Sequence, residues 1–465
     1  MNRKRNIFVK MAGVLLVGLL CFQFISCSPK ERTVIRFWHT YTGERASAFQ
    51  KLVYEYNRTE GNARGVEVVA YYKATLEQLS KALNSGEEID LPNMIEVTDE
   101  SAYLAYLNSR IVSAEQYLTK EELSEYVPGF LNKGRFTVDG DTYIFPLQAS
   151  LDVMYLNESM LAEFKAACPD FDETQLQTWK GVYEVAQRYY AWSGKSFLAI
   201  DNLSDYIMTV ADQNTAPIVQ KWNKGVRIVL NQEVLREIWD FYYSGTLRGY
   251  ISSSESSVNY QMETGQVACY LAATSDAKWV PLTYRNQADV NRPVSLSVRQ
   301  YPSASSIKVG IPSSIRGVAV VDVDPFVNQE AYHFLHWIAR NEHVYKMTAA
   351  NTDLPVHKDV LNNENVYKAL CDYVSDSNPS VSITYAEAYR QVTTQNLYSV
   401  PVFYGSEYFT EEISRSLLDA TRESKALMES LMADGASYEE ALAELEQDAY
   451  FSAWMEKLES IRSKY

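Results

Sequence analysis

Five histidines and a few acidic pairs are the residues of this 465-residue chain whose types suggest chemistry first. His333, His336 and His343 would lie within about 80° of arc on one unbroken helix, an arrangement that a zinc ion can use. Phe334, Leu335, Trp337 and Ile338 interleave with them, Asn341 can end the helix, and zinc sites usually add a carboxylate or thiolate with its own supporting contacts. The three therefore read as solvated or hydrogen-bonded histidines beside a buried stripe, and no metal or cofactor is expected. Gly194-Lys195-Ser196 matches the end of a phosphate-cradling loop, but the first glycine such a loop needs falls at Tyr189. The run also closes a helix instead of opening one, and reads as a C-cap. Neither G-x-S-x-G nor H-E-x-x-H occurs. A glycosidase needs only two carboxylates across a cleft, which spacing leaves open. The dipeptides Glu87-Glu88, Glu411-Glu412 and Glu439-Glu440 fall in helical stretches and read as solvated faces.

The elements that would position any site come in alternation. Thr33 to Trp38 reads as a buried strand that ends in the loop His39 to Gly43. From Glu44 to Asn57, Ala46, Phe49, Leu52, Val53 and Tyr56 recur at helical spacing, and Val66 to Tyr72 completes a βαβ unit. Leu76 to Leu83 repeats the helix, ended by Gly86, and Leu91 to Val97 the strand. Such alternation predicts a mainly parallel, helix-covered sheet, with ligands at the carboxyl ends of its strands. That rule points to the His39 to Gly43 loop and to Glu96 to Glu100. Asp141 to Pro146 and Leu151 to Leu156 read as two short strands joined by Leu147-Gln148-Ala149-Ser150. Helices are expected at 159–168, 179–192 and 232–244, and a buried strand over Gly265 to Ala273 leads into Thr274-Ser275. Ser295 to Ser306 reads as loop, strands resume at Ile307 to Ile311 and Gly317 to Val321, and helix dominates from Asn328, with a capping box at Ser437 to Glu440.

Composition narrows the partner. Lys and Arg number 43 against 59 Asp and Glu, a formal charge of −16, which disfavours nucleic acid and anionic lipid because both need a basic footprint. Residues 1–26 read as a secretory signal: Arg3, Lys4, Arg5 and Lys10 precede an apolar run from Met11 to Ile25 too short to span comfortably. Phe24-Ile25-Ser26-Cys27 resembles a lipobox, so Cys27 is expected to carry acyl chains and residues 27–32 to form a lipidated linker. Cys168, Cys269 and Cys371 are widely spaced and odd in number, so at least one thiol stays unpaired. An exported, lipid-tethered body follows.

A family resemblance adds to these readings. The lipobox-like leader, Ile35-Arg36-Phe37-Trp38-His39 with Gly43-Glu44, and Gly140 to Pro146 followed by Val153-Met154-Tyr155-Leu156-Asn157 resemble the family 1 extracellular solute-binding proteins of ABC importers. Trp179 opening a helix, Gly265 to Cys269 before a Thr-Ser turn, Phe334-Leu335-x-Trp337-Ile338 and Asp353-Leu354-Pro355-Val356 extend the likeness from Thr33 to near Tyr465. The glycerol-3-phosphate binders are most similar, at Trp38-His39, Tyr72-Lys73 and Ser150. Their pattern is broken at Leu76, where a Tyr is usual, at Asp99 for a Glu, at Asp353 for a Tyr, and near Phe403 for a phosphate-facing Arg. Losing that Arg and gaining a carboxylate disfavours a terminal phosphomonoester. A neutral sugar, a polyol or a glycerophosphodiester fits better.

The resemblance implies a two-lobed α/β periplasmic-binding-protein-like fold with a helical C-terminal region. Lobe 1 is expected to comprise 33–149 and 307–352, and lobe 2 150–306 and 353–465. A monomer would catch a small solute between them and deliver it to an ABC permease, with no bond made or broken. Trp38, Tyr41, Tyr206, Trp279 and Tyr404 are candidate aromatic faces for a sugar, with the loop residues Tyr41 and Tyr404 least expected in the core. His39 joins them through the resemblance. Asp99, Ser150, Asp201, Asn202 and Asp353 are candidates for its hydroxyls, and Thr274 and Ser275 for a hydroxyl or an anion from a strand-to-helix turn. The rival readings are an exported lipoprotein glycosidase and an accessory that senses ligand without transporting it.

Overall fold

The computed structural model describes residues 32–85, 91–138, 140–223, 225–304, 310–375 and 379–465. The expected signal peptide, Cys27, Gly86 and the expected strand start at Ile307 lie outside the described residues. In the first lobe the expected βαβ order holds. β1 (Thr33–His39), α1 (Gly43–Arg58), β2 (Val66–Tyr72), α2 (Leu76–Asn84), β3 (Met94–Val97) and α3 (Asp99–Leu107) follow one another, and β1 pairs in parallel with both β2 and β3. Period-two alternation sorts the side chains: Ile35 and Phe37 of β1 enter one cluster, while Ile95 and Val97 of β3 enter another on the opposite face.

Between the lobes the chain departs from the expected pattern of short strands. Gln148 and Ser150 look like turn residues, yet Phe145–Asn157 forms one continuous strand, β4, buried along its whole length. The second lobe then adds α4 (Trp179–Ser193), β5 (Leu198–Ile200), α5 (Leu203–Gln213) and β6 (Cys269–Ala273). β5 pairs with β6 in parallel, and β6 with β4 antiparallel. Within the expected loop after Ser295, Leu296–Gln300 is a strand, β7, antiparallel to β4. Its Leu-Ser-Val alternation outweighs the serine content that suggested a loop. The expected strand at Gly265 starts only at Cys269, because Gly265 takes a left-handed turn (φ 67°) in which an added Cβ would meet the Arg285 carbonyl oxygen at 1.9 Å.

The two late strands also fuse. β8 (Gly310–Val321) returns antiparallel to β4 over Ser313 to Val318, then pairs with β3. Ala149 lies opposite Ile315 in this ladder and forms a further antiparallel bridge with Leu354, so three chain segments cross between the lobes at one point. α6 (Pro325–Arg340) is capped by Asp324 and ended at Asn341, which leaves His343 off its helix. The His336 Nδ1 instead meets the Tyr126 hydroxyl at 2.8 Å. After it the described chain is largely helical and includes the long helix α7 (Ser406–Ala433). Ser437 and Glu440 form the expected capping box, and Gly194 the expected left-handed C-cap of α4. Among the described residues no helix is long and apolar enough to cross a membrane. Cys168, Cys269 and Cys371 are all free thiols.

The β4–β8 ladder shifts register between Arg316 and Gly317, and a Cβ at Gly317 would sit 2.1 Å from Cγ2 of the buried, β-branched Ile144. Gly317→Ala is therefore expected to destabilise the protein by about 1–3 kcal/mol, seen as a lower urea midpoint at unchanged slope. An unchanged midpoint would contradict this packing.

Candidate functional site

The carboxyl ends of β1 and β3 meet the crossing strands. The Thr40 N–H and hydroxyl donate to Glu96 Oε2 at 2.8 and 2.6 Å, which pins the loop after β1 to the third strand. Arg45, in the first turn of α1, lies 3.5 Å from Glu96 Oε1, stacks 3.7 Å above the Tyr41 ring and donates to Gln148. Gln148 donates on to the Met347 carbonyl at 3.2 Å. Both groups are buried, so each must be paired to be tolerated there. At the start of α3, Thr98 caps the helix, Asp99 pairs with Lys133 at 2.7 Å, and Glu100 accepts from the Gly405 N–H at 3.1 Å. The last contact docks the loop carrying Tyr404 on the same rim.

At the crossing point the Ser150 and Ser314 hydroxyls lie 2.7 Å apart. Arg316 Nε donates to Asp353 Oδ2 at 2.9 Å, and the Tyr385 hydroxyl donates to the Asp353 carbonyl at 2.9 Å. Burial raises the Asp353 carboxyl, and the Arg316 and Arg45 charges oppose that rise.

The second lobe presents a different balance. Asp152 stands opposite Ala273 in the β4–β6 ladder, and the Asp201 N–H donates to the Leu271 carbonyl just past β5. Asn202 caps α5 by accepting from the Ser204 and Asp205 N–H groups, and its amide donates to Asp205 Oδ2 at 2.6 Å. Asp276 follows β6 in the turn begun by Thr274 and Ser275. Four carboxylates thus share one end of this lobe. Burial first and then the neighbouring Asp205, Asp201 and Asp276 raise Asp152 well above the usual carboxylate range. Asp205 is pushed up to about 6 by burial, with Lys133 opposing and Asp201 adding.

Polar groups on both lobes therefore flank three crossing segments, which is the layout of a protein that closes on a solute. The sequence profile of the bacterial extracellular solute-binding proteins matches residues 48–370. The chain belongs to that family. No curated protein matches it by sequence. Solved structures are similar in fold. The cyclic α-maltosyl-1,6-maltose binding protein of Arthrobacter globiformis superposes with a TM-score of 0.64 at 15% identity, covering 93% of this chain and 100% of its own. UgpB of Mycobacterium tuberculosis, solved with glycerophosphocholine, gives 0.60 at 16%, covering 92% and 98%. A Listeria monocytogenes ABC substrate-binding protein in complex with cycloalternan gives 0.59 at 15%, covering 91% and 99%. The glycerol-3-phosphate subgroup suggested by Trp38-His39 and Tyr72-Lys73 is not singled out by these matches.

The expected site residues divide sharply in this family fold. Ser150, Asp99, Asp201, Ser275, Trp279 and Tyr404 gather at strand ends, the crossing point or the rims, with Trp279 62% and Tyr404 66% exposed. Tyr41 does not stay in solvent as a loop residue should. It is buried edge-on against Phe37 and Phe49, because the short turn after β1 folds it back under Arg45. His39 is buried beside it. Its Nδ1 accepts from the Tyr41 N–H at 3.1 Å, and burial followed by the Arg45 charge lowers its pKa to about 4, so the ring is neutral. Tyr206 packs on Trp179 and Phe241 in the core of lobe 2, since its position in the second turn of α5 faces inward. Thr274 is buried and its hydroxyl accepts from the Leu151 N–H, so it braces the strand. Trp38 is half-buried with Lys73 Nζ 3.9 Å over its ring. Asp353 is committed to Arg316.

Five charged residues enter the site from outside the expected set, Arg45, Asp152, Asp205, Asp276 and Arg316, while Glu96 lies at a strand end to which the sequence pointed. Asp152 carried a usable signal, as the one charge within the apolar run Leu151 to Leu156. Arg316 carried none, because it falls between two stretches that read as separate strands.

The raised pKa of Asp205 has a stability consequence. Folded Asp205 holds its proton more tightly than the unfolded chain does, so the fold loses stability as pH rises from the usual carboxylate range to about 6. The full loss persists above that window. Asp205→Asn is expected to raise the melting temperature of ligand-free protein by a few degrees at about pH 8 and to leave it nearly unchanged at about pH 3. Equal effects at both pH values, in scanning calorimetry, would count against this electrostatic origin.

Proposed function

We propose that the protein is the solute-capturing component of an ABC importer, holding a sugar, polyol or glycerophosphodiester between its lobes and handing it to a membrane permease. The observation that carries this reading is the crossing at Ala149, Ile315 and Leu354, with polar rims on either side of it. The proposed division is 33–149 with 307–352 and 150–306 with 353–465, so that the hinge runs through those three residues. Small backbone rotations there would bring Asp99 toward Asp201, Ser275 and Trp279, and ligand touching both rims would favour the shut form. The fold neighbours support this class, since their names describe binders of maltosyl rings, cycloalternan and glycerophosphocholine.

The arginines at the crossing argue against a terminal phosphate as the ligand. Arg45 faces Glu96 and Arg316 faces Asp353, so each has a carboxylate competing for its charge. Trp279 and Tyr404 offer ring faces for the C–H side of a sugar. Lipidation at Cys27 would hold the body at the outer side of a cell membrane, where several acyl chains on one residue give stable attachment. Capture and release need no general base, and the energy for uptake would come from a separate ATPase.

A thermal-shift panel of neutral oligosaccharides, polyols and glycerophosphodiesters tests the reading. A true ligand at a hundred times its dissociation constant is expected to stabilise by about 2.7 kcal/mol and to compact the protein in solution scattering. Stabilisation by none of them, or turnover of an oligosaccharide, would overturn the proposal. Trp279→Ala is expected to weaken binding about tenfold while leaving the melting temperature of ligand-free protein unchanged, because the ring is mostly exposed.

A further inference from the structure

The second lobe carries more negative charge at its strand ends than it balances. Asp152, Asp201, Asp205 and Asp276 come from three separate places in the chain and are brought together by the β4–β6–β5 order. Lys133 acts on Asp205 from the other lobe but is already paired with Asp99, and Lys278 acts on Asp276 and on Asp353. Asp152 is only 8% exposed and has no hydrogen-bond or ion-pair partner among the described residues. A buried carboxylate without a partner is costly, and loses less when a donor is brought to it.

A tyrosine points to the same place independently. The Tyr301 hydroxyl is fully buried and has no hydrogen-bond partner among the described residues. Tyr301 follows Gln300, which pairs with Val153, so it stands beside Asp152 in register, and Asp152 and then Asp205 are the charges that act on it most strongly. Carboxylate and hydroxyl therefore converge without satisfying one another.

We propose that the solute carries a primary ammonium group, as an amino sugar does, and that this group is seated against Asp152, within the field of Asp201, Asp205 and Asp276. The proposal rests on the solute-binding reading and specifies its substrate class. An ammonium offers three N–H donors and a positive charge, whereas a sugar hydroxyl offers one donor and leaves the charge uncompensated. A metal ion is the first rival cation. Among the described residues no group of three or more His, Cys, Asp or Glu is placed to hold one, so the carboxylates are spread more widely than a coordination sphere. A quaternary ammonium is the second. It has no N–H to donate to Asp152, and the open ring nearest Asp276 in the chain, that of Trp279, already carries Lys278 Nζ at 5.4 Å.

Titration calorimetry on the full chain tests this with a matched set: the disaccharide of glucosamine, its N-acetylated counterpart and maltose. The glucosamine disaccharide is expected to bind about tenfold or more tighter than the other two near pH 7. That advantage shrinks below about pH 6, as Asp205 takes up its proton while the ammonium stays charged. Asp152→Asn is expected to bring the amine-to-neutral affinity ratio close to one, and the half-buried Asp276→Asn, should the first fail to fold, to lower that ratio severalfold. If maltose or the acetylated sugar binds as tightly as the amine, the inference falls and the solute-binding reading stands. If none of the three binds, and the wider panel is silent too, both fall. A binding isotherm for calcium alone at this site would reassign the carboxylates to a metal and overturn the inference.

Discussion

The ladder between β4 and β8 is the constraint on which the rest of the molecule depends. Two strands of 13 and 12 residues run through both lobes, paired with each other between Phe145 to Leu151 and Ser313 to Val318 and with lobe-specific strands beyond. The hydrogen bonds of that ladder hold the lobes at a fixed register, and the shift at Arg316/Gly317 turns the second strand away to join β3. Because only a few backbone segments meet at Ala149, a change of a few dihedrals can swing one lobe without unpacking its core. Separate clusters lie around Ile95 and Val97 in one lobe and around Val153 and Tyr155 in the other, while the main cluster continues through both.

Electrostatics is organised unequally around this axis. In the first lobe and at the crossing, buried charges are answered within the protein, Arg45 by Glu96 and Asp353 by Arg316. Such pairs contribute little net stability, but removing one partner is costly, so they fix positions. In the second lobe the carboxylates raise one another instead. Strain of this kind lowers the stability of the ligand-free fold and would be offset by a complementary ligand. The contrast leaves one lobe with internally answered charges and the other with an acidic face that is not.

Much of the architecture is legible in the residues. The 3.6-residue and two-residue periods locate α1, β1 and β2 to within a residue, and Gly194 and Ser437 mark their helix ends by local geometry. Local rules failed where the environment was long-range. Gln148 and Ser150 carry turn-like side chains, yet lie in a strand because Arg45, Met347 and Ser314, distant in the chain, satisfy their polar atoms. Tyr41 and Tyr206 have the composition of ligand-facing rings, yet their directions are set by the turn after β1 and by the inward side of α5. The aromatic abundance that suggested a sugar cleft is mostly core, with Trp279 and Tyr404 the members of the expected set left in solvent.

The sequence by itself determined the class of the leading βαβ elements and of the helices it placed, the acidic balance and the family pattern, because hydrophobic period, capping and turn chemistry act over a few residues. Which carboxylates meet, and which of them remain unanswered, was decided only by tertiary structure. Asp152, Asp201, Asp205 and Asp276 span more than a hundred residues of chain. Their mutual field exists only because β5, β6 and β4 lie side by side, and Coulomb energies depend on distances in space that no local pattern encodes.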